Sequence, residues 1–363
     1  MQLNLEIGED TWQQFGLASF TEVGACACRS IFAESSMAVQ NFDAKSPPKG
    51  LKSDRAMSAR AAQLSQREPE HEAFGLEPPP TTQDIKAMMA ATAVRTLKEY
   101  ESDAATVIAI SERFGTLVKA NATGRQDAAD AGAMQAIVSA SKKHAGDAAV
   151  MEKAIGAIGN LCCGTDAAGL ARKQLAADSG ALEIIVAGMK AHASAAPLQE
   201  NAAATIGNIA SNVDDAGLTR KQQAADAGAL ETLVSALTAH KEDPNVCEFA
   251  CFAIGNLVRA RGDDPDSGAA TVRGQTRKEK AVELGVIPTV IAAMHAHMDA
   301  PRVQEYGSRA ISNLTFRNDA FKQKAIEAGA MHDWLDGACT ARVFVPDKEV
   351  EDVGKAAEAL EIK

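Results

Sequence analysis

Cys247 and Cys251 stand four residues apart, the spacing at which one helix face can offer two ligands to a metal. No second pair and no converging histidine completes a tetrahedral set around them, and Cys251 falls on an apolar stripe where a small side chain fills core. His295 and His297 are two apart, so a helix turns them to different faces. Cys26 and Cys28 stand alone in a segment with no sustained period. The chain carries no Gly-rich phosphate loop, no Gly-x-Ser-x-Gly elbow and no His-Glu-x-x-His helix. The expectation is therefore a non-enzyme, without cofactor, metal or small-molecule substrate.

The elements that position these residues repeat. Asp130-Ala131-Gly132-Ala133, Asp178-Ser179-Gly180-Ala181, Asp226-Ala227-Gly228-Ala229, Glu283-Leu284-Gly285-Val286 and Glu327-Ala328-Gly329-Ala330 are copies of one phrase, with glycines 48, 48, 57 and 44 residues apart. A base precedes each glycine by seven residues: Arg125, Lys173, Lys221, Lys278 and Lys322. A second phrase closes four successive units as Ile158-Gly159-Asn160-Leu161, Ile206-Gly207-Asn208-Ile209, Ile254-Gly255-Asn256-Leu257 and Ile311-Ser312-Asn313-Leu314. Each unit then holds a short helix before the glycine, a middle helix after it and a longer one ending at the Asn. No unit can bury its apolar face alone, so neighbours must stack into a continuous core. Six repeats are expected, over 83–124, 125–168, 169–216, 217–271, 272–318 and 319–363, the two ends atypical and Lys348–Leu360 a closing helix. The stretches Asp166–Lys173 and Asp214–Lys221 look like long links between units, and Arg261–Gln275 like an enlarged loop at the same place. Residues 1–80, with Ser-Pro-Pro-Lys-Gly at 46–50 and Pro78-Pro79-Pro80, read as a disordered segment with a short helix near Met57–Gln66, so the solenoid starts at about 81.

This triple-helix unit resembles the armadillo repeat. Arg302-Val303-Gln304-Glu305 leading to Ser312-Asn313-Leu314, and Leu198-Gln199-Glu200 leading to Gly207-Asn208-Ile209, follow that family's pattern. The 48-residue spacing and the Ala191-His192 and Ala239-His240 ends of middle helices are most similar to the armadillo segment of the leucine-rich repeat kinases. No kinase, GTPase or leucine-rich segment accompanies it, so the resemblance implies a fold and a binding mode alone. The implied fold is an all-α armadillo-type solenoid, a right-handed superhelix of three-helix repeats. The implied function is a protein–protein interaction scaffold that binds a partner segment along the groove of its third helices.

The resemblance also implies that Asn160, Asn208, Asn256 and Asn313 hold the backbone of an extended partner. An Asn amide offers both a donor and an acceptor to a peptide group, though it can equally brace its own repeat. Counting back by 4, 7 and 11 keeps to one helix face. In the fourth repeat those positions are Phe252, Phe249 and Asn245, and in the fifth Arg309, Tyr306 and Arg302. Aromatic residues and Arg are the usual interface anchors, so this end of the groove is the expected site, with one of the two phenylalanines serving as core filler. Eight residues before each Asn lies a carboxylate: Glu152, Glu200, Glu248 and Glu305. Such a ladder suits an adaptor for basic transport signals, or is simply solvated helix-start charge. The nuclear-import adaptors place Trp four residues before the Asn; here that position reads Gly156, Ala204, Phe252 and Arg309. A structural subunit of a large assembly is a third alternative.

Composition agrees with these expectations. Hydrophobic residues make up 46% and aromatics only 4%, which suits closely packed short helices better than strands. The net charge of -11 argues against nucleic acid or an anionic membrane as partner, leaving another protein. Seven cysteines without framework spacing fit a reducing compartment. With no secretory pattern and no run suited to membrane insertion, the expected location is the cytoplasm, with the nucleus as the alternative.

Overall fold

The computed structural model describes residues 78–119, 121–260 and 269–335. The expected disordered segment up to residue 77 and the closing helix over Lys348–Leu360 lie outside these residues. Among them are seventeen helices and no strand. In chain order they are α1 (Thr82–Ala87), α2 (Ala90–Glu99), α3 (Ala104–Val118), α4 (Ala122–Asp130), α5 (Ala133–Lys143), α6 (Ala148–Leu161), α7 (Ala167–Asp178), α8 (Ala181–Ala191) and α9 (Ala196–Ile209). There follow α10 (Asp215–Ala227), α11 (Ala229–Ala239), α12 (Pro244–Val258), α13 (Ala269–Glu283), α14 (Val286–Ala296), α15 (Pro301–Thr315), α16 (Asp319–Glu327) and α17 (His332–Leu335).

The helices come in successive threes, and several of their starts are capped by an Asp. Asp103, Asp147 and Asp243 accept hydrogen bonds from the first backbone N–H groups of the third helices α3, α6 and α12. Asp166 and Asp214 do the same for the first helices α7 and α10. The stretches that look like long links are thus the capped opening turns of α7 and α10. Half of the enlarged loop is also helical, because α13 begins at Ala269.

The glycine phrase occupies the turn from first to second helix. Gly132, Gly180, Gly228, Gly285 and Gly329 all adopt left-handed backbone, with φ of 86°, 79°, 94°, 77° and 90°. A side chain there would meet its own carbonyl, which explains why glycine holds the third place in each copy of the phrase.

The third helices α3, α6, α9, α12 and α15 pack each against the next, forming one continuous layer. The second helices α5, α8, α11 and α14 form the layer behind it, and the first helices run along the edge. Between the layers lies a single core in which Ile110, Phe114, Ile155, Ile158, Ile185, Leu233, Ile254 and Ile311 are fully buried. Each such aliphatic or aromatic side chain contributes roughly 1.5–3 kcal/mol, so many modest contacts replace one large aromatic centre. The architecture is an α-solenoid.

Close approach of the third helices is set by the second glycine of the repeat, the one before the Asn. A Cβ on Gly207 would overlap the ring of Phe252, and one on Gly159 would lie 2.5 Å from Thr205 Oγ1. On Gly255 it would make ordinary contact, 3.5 Å from the Ala310 backbone. Small residues in Ile-Gly-Asn therefore let backbone approach backbone along this layer.

Candidate functional site

The third-helix layer carries every residue expected to bind a partner, and its geometry separates those committed to packing from those left open. Asn256 Nδ2 donates to Gly207 O at 2.9 Å, and Asn313 Nδ2 donates to Gly255 O at 3.0 Å. Both carbonyls belong to the last turn of the preceding third helix, where intrahelical partners run out. These two amides brace one repeat to the next while their residues stay partly exposed. Asn160 and Asn208 are 3% and 6% exposed, and their Nδ2 atoms find no acceptor among the described residues.

The four carboxylates do not form a uniform acidic strip. Glu152 pairs with Lys153 at 3.0 Å, and Lys153 also lies 3.8 Å from Glu112. Glu248 is 9% exposed and 3.9 Å from Arg302 Nε, too far for a hydrogen bond. Burial outweighs Arg302 there and pushes the Glu248 carboxyl up to about 7. Glu200 and Glu305 are partly exposed.

Phe249 and Tyr306, seven residues before their Asn, are each 1% exposed. The position is not buried in every repeat, since Lys153 stays partly exposed there. Phe249 is core, the filler role expected of one of the two phenylalanines, and so has no place on the open face. Tyr306 is buried along its ring but accepts a hydrogen bond at its hydroxyl from Arg302 Nη1, at 3.1 Å. Phe252 lies on Gly207 and is 6% exposed, so it too serves mainly as floor.

Above this floor sits Arg309. The Phe252 and Tyr306 rings are 5.2 Å apart and tilted by 53°. The Arg309 guanidinium lies 4.7 Å from the Tyr306 ring centre and 5.7 Å from that of Phe252, a cation–π arrangement. Its Nε and Nη2 are shielded from solvent and have no acceptor among the described residues, while the residue as a whole is partly exposed. Burial, with Arg259 nearby, lowers its proton affinity. At the C-terminal cap of α15, Phe316 is 51% exposed, with Arg317 5.4 Å and the buried Lys278 5.9 Å from its ring.

The other buried bases have a different duty. Arg172 Nε donates to Leu161 O and Nη2 to Cys163 O, both at 2.8 Å, and Nη1 donates to Gln126 Oε1 at 3.0 Å. Arg220 repeats this on Ile209 O and Gln174 Oε1, and Arg277 on Leu257 O and Gln222 Oε1. Each Arg thereby caps the third helix of the preceding repeat and ties its own first helix to the previous one. The adjacent lysines reach forward: Lys173 Nζ donates to Ser211 Oγ, and Lys221 Nζ to the carbonyls of Asn256 and Arg259. Burial lowers Lys173 to about 8 and Lys221 to about 7.

Two more ladders complete the stitching. Gln199 Nε2 donates to Met189 O and His192 O, and Gln304 Nε2 to Met294 O and His297 O, closing the second helices. His144, His192, His240 and His297 bond through Nε2 to Glu101 O, Ala145 O, Ala193 O and Lys241 O of the preceding repeat. Sequence reasoning found the base before each glycine and the Ala-His ends but gave them no role. Their signal was the 48-residue recurrence of Arg-Lys-Gln at 172–174 and 220–222.

The thiols offer no reactive group at this surface. Cys162, Cys247 and Cys251 are free and fully buried, and burial pushes Cys162 and Cys247 up to about 12 and raises Cys251 as well. No helix among the described residues is long and apolar enough to cross a membrane. Compared with family models, with curated proteins and with solved structures, the chain finds no match in any of the three.

Proposed function

We propose that this chain is a non-catalytic scaffold of the armadillo type that holds a segment of another protein along its layer of third helices. The observation that carries this is the contrast between two kinds of buried arginine. Arg172 and Arg220 spend their guanidinium groups on helix-end carbonyls and a neighbouring Gln. Arg309 instead lies on the Tyr306 and Phe252 rings, partly exposed, and takes no helix-end carbonyl or neighbouring Gln through its Nε or Nη2. A preorganised, partly exposed cation on an aromatic bed is what an interface anchor requires. The reading of the Glu ladder as a receptor for basic signals gains less support, since Glu152 and Glu248 already face Lys153 and Arg302.

A photo-crosslinking side chain tests this when placed at Glu305, partly exposed on α15, or at Thr238, exposed on the second helix α11. A scaffold that uses the third-helix layer gives a partner adduct from position 305 that Arg309→Glu removes. The same adduct arising only from position 238, and indifferent to Arg309→Glu, would move the interface to the other layer.

A further inference from the structure

We propose that the end of this face formed by α12 and α15 receives an acidic stretch of the partner, an anionic side chain docking on Arg309 beside Arg259 and an apolar neighbour resting on Phe316. This rests on the scaffold reading and adds the partner's chemistry to it.

Three features of the site lead there. Arg309 and Asn313 lie one turn apart on α15, and Phe316 follows at its C-terminal cap, all three at least partly open. At the upper end the exposed Phe316 ring stands 5.4 Å from the cation of Arg317, with the buried Lys278 5.9 Å from its centre. At the lower end Arg309 is a partly exposed cation held on the Tyr306 and Phe252 rings, and a carboxylate or phosphate is the group that matches a guanidinium most closely.

Charge along the layer points the same way. Its N-terminal part sets Glu112, Glu152 and Glu200 against Arg113, Lys119 and Lys153, in balance. Its C-terminal part shows Arg259, Arg302, Arg309 and Arg317 against Glu305 and the largely buried Glu248. In a chain of net charge -11, this local excess of base selects for an anionic segment where the rest of the molecule repels one.

The test uses the full chain and a phage-displayed library of random peptides of about 12 residues, followed by anisotropy titration of the enriched sequences. Enrichment in Asp and Glu is expected, with affinity that falls about tenfold or more in Arg309→Glu and again as salt is raised. Arg317→Glu, at an exposed position, should weaken binding in the same direction without touching the floor of the site. Matching circular dichroism and melting temperature would show both variants folded. Peptides without acidic enrichment that Arg309→Glu still weakens would overturn the anionic chemistry and leave the scaffold standing. Acidic peptides indifferent to both substitutions would overturn the site, and no enrichment at all would overturn both proposals. Adding phosphoserine to an enriched peptide distinguishes the anion: tighter binding assigns a phosphate, and unchanged or weaker binding a carboxylate.

Discussion

Replacing Glu248 with Gln should stabilise the protein at alkaline pH and leave it unchanged in acid. The Glu248 carboxyl is 9% exposed, its Oε1 accepts no hydrogen bond, and its nearest base is 3.9 Å away. Loss of water outweighs Arg302, and Glu305 pushes the same way, so the folded-state pKa rises from 4.5 to about 7. Between those values the folded chain keeps a proton that the unfolded chain releases. Stability from this group is therefore complete below pH 4.5, declines as pH climbs to about 7, and falls no further above that. At about 1.4 kcal/mol for each pH unit of that window, the ionised carboxylate costs roughly 3 kcal/mol at pH 8. Gln keeps the shape and discards the charge, and Arg302, 36% exposed at its side chain, can return to water. Thermal unfolding followed by circular dichroism at pH 5 and pH 8, in matched salt, is the assay. With roughly 2–4 °C per kcal/mol for a domain of this size, Glu248→Gln should raise Tm by about 6–12 °C at pH 8. At pH 5, about half a unit into the window, the difference should shrink to about 1–3 °C. An equal gain at both pH values would refute the ionisation argument. A loss at pH 8 would show instead that the Glu248–Arg302 pair is net stabilising.

Other substitutions probe the packing and the patch. Gly207→Ala drives a Cβ into the Phe252 ring and should cost about 1–3 kcal/mol in urea unfolding, whereas Gly255→Ala, with room for its methyl, should be neutral or gain up to about 1 kcal/mol from helix propensity. Arg220→Lys cannot span Ile209 O and Gln174 Oε1 together and should lose about 1.5–3 kcal/mol, read as a lower urea midpoint. Phe252→Ala removes a side chain only 6% exposed and should destabilise by about 3–5 kcal/mol, so any loss of binding in that variant reports the fold. Arg309→Glu should instead shift Tm by under about 3 °C while changing affinity.

Much of this was legible in the sequence because repetition multiplies weak signals. One such phrase predicts little, but five recurring copies locate the turn from first to second helix in every unit after the first, and all five glycines adopt left-handed backbone. The third-helix ends were equally visible from Ile-Gly-Asn. Spacing alone could not tell a capped first turn from a link: Asp166 and Asp214 look like loop residues until their side chains are seen bonded to Gly169 N and Gly217 N. Counting along a face could not settle burial. Of the positions seven residues before the Asn, Lys153 stays partly exposed while Phe249 and Tyr306 are buried, since side-chain character decides depth as much as angle does. Long-range polar bonds were invisible for another reason. Nothing in Arg-Lys-Gln says that the Arg reaches back to one repeat and the Lys forward to the end of its own third helix, as Arg220 and Lys221 do.

In a solenoid, then, sameness and difference carry separate information. Residues that recur at one position in several repeats are needed by every repeat for the same purpose, and here that purpose is internal. The Arg of the first helix caps, the Gln closes the second helix, the His stitches neighbours, and Asn256 and Asn313 brace the layer. A partner segment is not periodic, so the side chains that recognise it must break the pattern. The position four residues before the Asn runs Gly156, Ala204, Phe252, Arg309, small where third helices close together and cationic where the last of them opens. On the proposed scaffold reading, that departure, a partly exposed cation on an aromatic bed, is where specificity would lie, ahead of the Asn ladder.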